Sequence, residues 1–377
     1  MALPTSSRLS ARQVRVRRRL EELRLDGLVV TSPTNIRYLS NYVGSSGVLV
    51  ITRSGVYLLV DFRYREAVSV LQRSVSACPN LLVRDVPESY DDALIECLRD
   101  TGVSRIGFEA AHVPVATRDQ WRRTAEARGL SFTFQSTEQL VEEARLVKDA
   151  SEIATLREAA ARLTEVARSA CEAARAGESE RAVAAVIEAA LRRVGYERPA
   201  FDTIVASGPN AALPHHRAGD RILRDGDLVV LDFGGVLDGY CSDLTRTVSI
   251  GSPSPDARRL YDAVSDAQRS AIEAVAPGIE STAVDAAARS ILQQRGLGEA
   301  FGHGTGHGLG LDVHEGPRIS RPRADVRSVR LEPGMVFTVE PGAYIPGFGG
   351  VRIEDDVLVT ETGYEVLTTV PRELLVL

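Results

Sequence analysis

Five residues of the kinds that bind metal ions, Asp232, Asp243, His307, Glu340 and Glu354, stand at the edges of strand-like and glycine-rich segments in the second half of the chain. Four carboxylates and one imidazole make a hard, oxygen-rich donor set with room for two divalent cations, and carboxylates can bridge because each oxygen can hold one ion. Read together they are a dinuclear metal site, so the fold has to bring these segments to one place. Two cations sharing a water would acidify it and clamp the oxyanion formed when it attacks a carbonyl, which is hydrolase chemistry.

The flanking residues turn the five into a pattern. In LVVLDFGG (228–235) an apolar run leads into Asp232, which predicts the exit of a buried strand. A loop, LDGYCS, follows, and Asp243 opens LTRTVSI, whose Thr245, Thr247 and Val248 favour a strand, so the two aspartates are expected to be hairpin neighbours. MVFTVEP predicts a strand that Pro341 ends, with Glu340 as its last residue. Beyond the glycine-rich turn GAYIPGFGG, the alternation in VRIEDDV puts Arg352, Glu354 and Asp356 on one face, with Arg352 placed to hold a carboxylate such as Glu340 or Glu354. His307 lies in FGHGTGHGLGLDVHE, where glycine and threonine keep the backbone thin around three histidines. His303 or a nearby carboxylate is the expected partner for its ring. His314 reads as an acid or a hydrogen-bond donor to substrate rather than a sixth ligand. The glycine run lacks the lysine and Ser/Thr ending of a phosphate-binding P-loop.

These segments, with SGPNAALPHHRAGDR, YCSDLTRT, FTVEPGAYIPGFGGVRIEDDVLVT and the terminal LTTVPRELLVL in the same order, resemble the proline-specific metallopeptidases, the family of prolidase (Xaa-Pro dipeptidase) and aminopeptidase P. The resemblance runs through most of residues 145–377, and more loosely through NIRYLSNYVGSSGVLVIT and YLLVDFRYREA in the front half. It implies an α+β pita-bread catalytic domain, with an antiparallel sheet and covering helices, behind a smaller creatinase-like α/β domain. It also implies that Asp232, Asp243, His307, Glu340 and Glu354 are metal ligands and that His215 and His314 are catalytic or substrate-binding; Glu340 is our choice for taking the water's proton. Arg352 and Tyr344 follow as less central catalytic and substrate contacts. Two divalent ions are implied, manganese first, with cobalt or zinc as alternatives. The substrate expected is a small peptide with proline second, and a dipeptide rather than a longer peptide, because the segment between Glu340 and Arg352 is compact. Arg352, His215 and front-domain arginines such as Arg37 or Arg63 are candidates for the proline carboxylate. A homodimer is expected. Methionine aminopeptidase shares the five-ligand plan but lacks such a front domain. Creatinase-type amidinohydrolases and a non-catalytic peptide-binding module on this fold would lack the ligands.

A chain of 377 residues fits two domains, and the boundary is expected at residue 140, giving 1–140 and 141–377. Up to there, helical patterns alternate with short apolar runs. A single charged helical stretch then runs from near Ser136 to a stop at Gly177, followed by two similar blocks of helices and strands without a clear sequence repeat. A net charge of -6 argues against nucleic acid as the main partner. The arginine-rich opening reads as an amphipathic helix carrying Leu9, Val16, Leu20 and Leu23. No stretch has the apolar length of a membrane span, and a cytoplasmic location is expected. Cys78, Cys97, Cys171 and Cys241 lack metal or redox spacing and read as reduced thiols, Cys241 as a small strand residue rather than a soft ligand.

Overall fold

The computed structural model describes residues 4–322 and 328–377. The chain divides into two compact units, residues 1–145 and 146–377. A boundary at 140 would have cut off the short helix Leu140–Arg145, whose Leu140 and Val141 are buried.

In the first unit six strands form a mixed sheet in the order Leu81–Asp85, Val56–Val60, Val48–Thr52, Gly27–Val30, Arg105–Glu109, Thr133–Thr137, with helices between them. The opening helix, Ser6–Glu22, buries Leu9, Val16 and Leu20, while Leu23, expected on the same apolar face, caps its end exposed. The predicted single helix from Ser136 to Gly177 is two helices preceded by a strand. Asp149 starts the second one, Ala150–Ala173, by accepting the N–H groups of Ser151 and Glu152 while the Glu152 carboxylate accepts its own N–H. This capping box, written in the sequence as DASE, stops the first helix from running on.

The second unit holds the site. Two long strands, Leu228–Leu237 and Tyr240–Ser249, pair antiparallel through their whole length. Their turn is only Asp238–Gly239, both left-handed at φ 47° and 76° as a two-residue hairpin of opposite-hand turn requires. Val229, Leu231, Phe233, Leu244 and Val248 pack on the helices Ala150–Ala173 and Glu180–Arg193. Each such side chain contributes about 1.5–3 kcal/mol by burial. Alternation then sends Asp232, Asp243 and Thr245 to the other face. A second antiparallel sheet runs Glu315–Ile319, Gly306–Gly308, Val336–Val339, Asp355–Val359, Tyr364–Val366, and is covered by the helices Pro255–Glu273 and Ser281–Gln294 through Val264, Ala267, Val284 and Ala288. Helices covering antiparallel sheets are the arrangement the sequence resemblance implies.

A repeat does exist between the two halves of this unit. Glu180–Arg193 is bracketed by Gly177 and Gly195, and Ser281–Gln294 by Gly278 and Gly296 at the same spacing, all four with φ between 73° and 94°. Glycine is needed there because a side chain would strain the left-handed backbone that ends one element and starts the next. Besides these backbone marks, an Ala-Val pair in each first turn and the aligned Ala185/Ala286 and Leu191/Leu292 survive in the sequence.

Candidate metal centre

Asp232 and Asp243 sit in mid-strand rather than at strand ends, because the Asp238–Gly239 turn leaves both strands long. Asp232 faces Thr245 across the ladder and Asp243 faces Gly234, so the aspartates are diagonal neighbours on one face. Gly234 makes room for this: a Cβ there would lie 2.1 Å from the Ser242 carbonyl oxygen.

Glu340 follows the strand Val336–Val339, and its N–H donates to the Thr305 carbonyl at 2.7 Å. The continuous strand predicted over VRIEDDV is broken. Gly349–Arg352 pairs with Gly342–Ile345, Asp355–Val359 pairs in the larger sheet, and Ile353 and Glu354 bridge the change. An alternation pattern cannot register a strand that leaves one sheet for another, so Arg352, Glu354 and Asp356 do not share one sheet face. In the break, Glu354 donates its N–H to the Thr245 carbonyl at 3.1 Å and accepts the Thr245 hydroxyl at 2.5 Å.

His307 lies at a bulge in Gly306–Gly308. Ligand atoms of Asp243, His307 and Glu354, all buried, lie within 4.8 Å of one another. A Glu340 oxygen is 3.6 Å from His307 Nε2. Asp232 is held by the Arg352 guanidinium, and its charge raises the pKa of Asp243, Glu340 and Glu354. Burial is the leading cause in each case, with mutual repulsion behind it. Glu340 rises from 4.5 to about 7 although Arg352 opposes the shift. Burial, helped by His314, pushes His307 down to about 3, so its imidazole is neutral, the form that binds metal. Asp232 Oδ1 and Asp243 Oδ1 are buried without a hydrogen-bond partner. Buried carboxylates that repel one another and keep bare oxygens are destabilising in themselves, and a divalent cation removes both costs by displacing protons. The donor set fits a hard or borderline divalent ion.

Arg352 points at Asp232 and not at Glu340 or Glu354. Its remaining donors go to Tyr344 Oη at 2.9 Å, the Pro214 carbonyl at 3.3 Å and Thr245 Oγ1 at 3.3 Å. Tyr344 is buried and also bonds His303 Nε2 at 2.9 Å. Arg352 and Tyr344 are thus tied into one network with Asp232 and His303. His303 is not the partner of His307, whose Nδ1 lies 3.2 Å from the Gly308 carbonyl. His314 is exposed, and its ring stands edge-on to His307 at 4.3 Å between centroids. His215 is exposed as well, and follows Pro214, whose carbonyl accepts Arg352 Nη1 at 3.3 Å. Of the front-domain arginines, Arg63 is paired with Asp61 at 2.8 Å and Arg37 lies on the helix Pro33–Ser40.

Sequence reasoning gave no role to three supporting acids. Asp356 accepts the Asp243 N–H at 3.1 Å, and burial lifts its pKa well above the carboxylate range. Asp355 is fully buried and takes Arg246 at 2.8 Å, Gln268 at 2.7 Å, Thr368 at 2.6 Å and Arg372 at 2.6 Å, which pins the strand after Glu354. Glu315, beside His314, forms a buried ion pair with Lys148 at 2.8 Å. The run EDD contained the first two signals. Cys241 stays outside the ligand group, its thiol pushed up to about 12 by burial. A cavity of about 1460 Å³ runs along Ala150–Ala173 and the C-terminal residues, and none of the five ligand-type residues lines it.

The family profile of metallopeptidase family M24 matches residues 154–361, more than half of the chain. The chain belongs to metallopeptidase family M24. Residues 12–147 match the creatinase/prolidase N-terminal domain, the front domain that the methionine aminopeptidase plan lacks. This M24 chain is 35% identical over 353 residues to a Xaa-Pro dipeptidase of Pyrococcus horikoshii, covering 93% of this chain and 95% of that one. A solved Xaa-Pro dipeptidase from Bacillus anthracis superposes with a TM-score of 0.91 at 36% identity, covering 98% of this chain and all (100%) of the other. An X-Pro aminopeptidase from Thermotoga maritima superposes with a TM-score of 0.84 at 35% identity, covering 95% and 100%. These similarities agree with the two-domain, pita-bread expectation, and family M24 is a family of metal-dependent peptidases. Among the described residues no helix is long and apolar enough to cross a membrane.

Proposed function

We propose that this chain hydrolyses the Xaa-Pro bond of dipeptides with two divalent ions held by Asp232, Asp243, His307, Glu340 and Glu354. The observation that carries the proposal is the gathering of Asp243, His307 and Glu354 ligand atoms within 4.8 Å beside bare, buried aspartate oxygens. Full-length similarity to Xaa-Pro dipeptidases supports the substrate.

A Xaa-Pro bond is a tertiary amide, so it offers no N–H for a peptidase to hold, and its ring blocks the usual contacts. When bound, the ions would supply an acidified water and polarise the scissile carbonyl without needing that N–H. Glu340 accepts a proton from the attacking water and returns it to the proline nitrogen, which must be protonated to leave. His314, exposed beside His307, donates to the carbonyl oxygen as it becomes an oxyanion. His215 steadies the proline side. Arg352 keeps Asp232 aimed at the centre. Manganese is our first choice of ion, with cobalt or zinc as alternatives, since availability decides among them for such a donor set. The four cysteines are free, which suits a reducing cytoplasm, and a homodimer completes the proposal.

The likeness to an X-Pro aminopeptidase keeps one other reading open, release of the first residue from longer Xaa-Pro peptides. Ala-Pro, Ala-Pro-amide and Ala-Pro-Ala, assayed with one metal, separate the two. Ala-Pro is expected to have the highest kcat/KM, and amidation is expected to weaken binding about 10-fold or more by removing a charged hydrogen-bond acceptor. A clear preference for Ala-Pro-Ala would assign aminopeptidase activity instead.

A further inference from the structure

We infer that Glu180 is a positioning residue that sets His215 over the metal centre by clamping the segment that carries it. The inference rests on the peptidase reading above. Glu180 opens the helix Glu180–Arg193 and is fully buried. One carboxylate oxygen accepts the Ser207 N–H at 2.9 Å, the Ser207 hydroxyl at 2.7 Å and Asn210 Nδ2 at 3.0 Å. The other takes His216 Nε2–H at 2.7 Å and the Gly219 N–H at 3.2 Å. Burial raises the Glu180 pKa, yet these bonds outweigh it and hold the group below the ordinary carboxylate range, so it is ionised.

A buried carboxylate is destabilising unless its lone pairs are filled, and this one is filled entirely from residues 207–219. The helix does not need it as a cap, because Ser179 already accepts the Ala182 N–H at 3.2 Å. What the bonds organise is the chain on either side of His215. Pro214 is held by Arg352, which also holds Asp232, and His216 is held by Glu180. His215 stands between two anchored neighbours, exposed and without a hydrogen-bond partner among the described residues. A side chain that must meet a substrate gains from such fixing, since small misplacements are expensive in rate.

The matching helix of the second half carries a buried acid too, one whose oxygens are shared with Arg289 of the same helix at 2.9 Å. Asp285, 1% exposed, accepts the Thr305 N–H at 3.1 Å and its hydroxyl at 2.9 Å, between His303 and His307. Each of the paired helices thus carries a buried acid that ties down a histidine-bearing segment.

The test is a double-mutant cycle between Glu180→Gln and His215→Ala, read as kcat and KM for Ala-Pro with metal content measured on each protein. Glu180→Gln is expected to lower kcat/KM by on the order of 10-fold to 100-fold while metal content stays at the wild-type level. In the His215→Ala background the same change is expected to add little, because the residue it positions is gone. Additive losses, loss of metal in step with activity, or undiminished activity would overturn the inference. Should Glu180→Gln not fold, His216→Leu removes a single bond of the clamp and is expected to give the same non-additive pattern at smaller size. If the wild-type chain fails to cleave Ala-Pro, the peptidase reading falls, and the clamp is judged by NMR of the His215 ring. Glu180→Gln is expected to shift and broaden its signals, and unchanged signals would refute the clamp.

Discussion

Asp243→Ala is expected to lose bound metal and Xaa-Pro hydrolysis together, with kcat/KM falling on the order of 10³-fold or more, about 4 kcal/mol of transition-state stabilisation. Asp243 lies in mid-strand on a hairpin that is buried throughout, its N–H fixed by Asp356, so no neighbouring acid can move in to replace it. Its oxygen is within 4.8 Å of ligand atoms on two other segments, and removing it opens the cluster at its centre. Glu354→Ala is expected to behave alike. Glu354→Gln separates charge from shape, since the amide still accepts the Thr245 hydroxyl. It is expected to lose metal too, yet to raise the melting temperature of the metal-free protein at alkaline pH, because one of several repelling buried charges has gone. Metal content by mass spectrometry and a melting curve check both statements, and a metal-free Glu354→Gln protein that melts lower would show that the cluster is not strained by its own charge.

The other large effect is expected at His314. His314→Ala should keep the metal and lose on the order of 10²-fold or more in kcat, as removal of an oxyanion donor does elsewhere. The ring is exposed and touches His307 edge-on, so deleting it takes nothing from the ligand cluster. Equal loss of metal content and kcat would make His314 a ligand.

How far the sequence carried these conclusions depends on the kind of signal. The ligand-type residues were legible from the strand-like and glycine-rich segments that hold them and from the resemblance those segments carry, and the structure gathers Asp243, His307 and Glu354 with Glu340 beside them. Their exact place on strands was not. Reading LDGYCS as a loop missed that Asp-Gly alone makes the turn, a signal that was present in the residues. The break at Ile353 and Glu354 had no such signal, because strand alternation continues through it while the pairing partner changes. The role of Arg352 followed the same error: placed on one face with Glu354, it was expected to serve Glu340 or Glu354, and it holds Asp232 instead. Glu180 and Asp285 were beyond reach for another reason. Each looks like an ordinary helix acid, and only the folded chain shows what returns to meet it. The division of the second unit into related halves rests on backbone, with Gly177, Gly195, Gly278 and Gly296 kept where the chain must turn left-handed and little else preserved.

The most direct measurement is hydrolysis of Ala-Pro by the wild-type chain after exhaustive chelation, followed as manganese is added back and bound metal is counted. The account predicts no activity in the stripped protein, recovery that rises with metal content, and saturation at a second equivalent per chain. Full hydrolysis with no metal bound would contradict it.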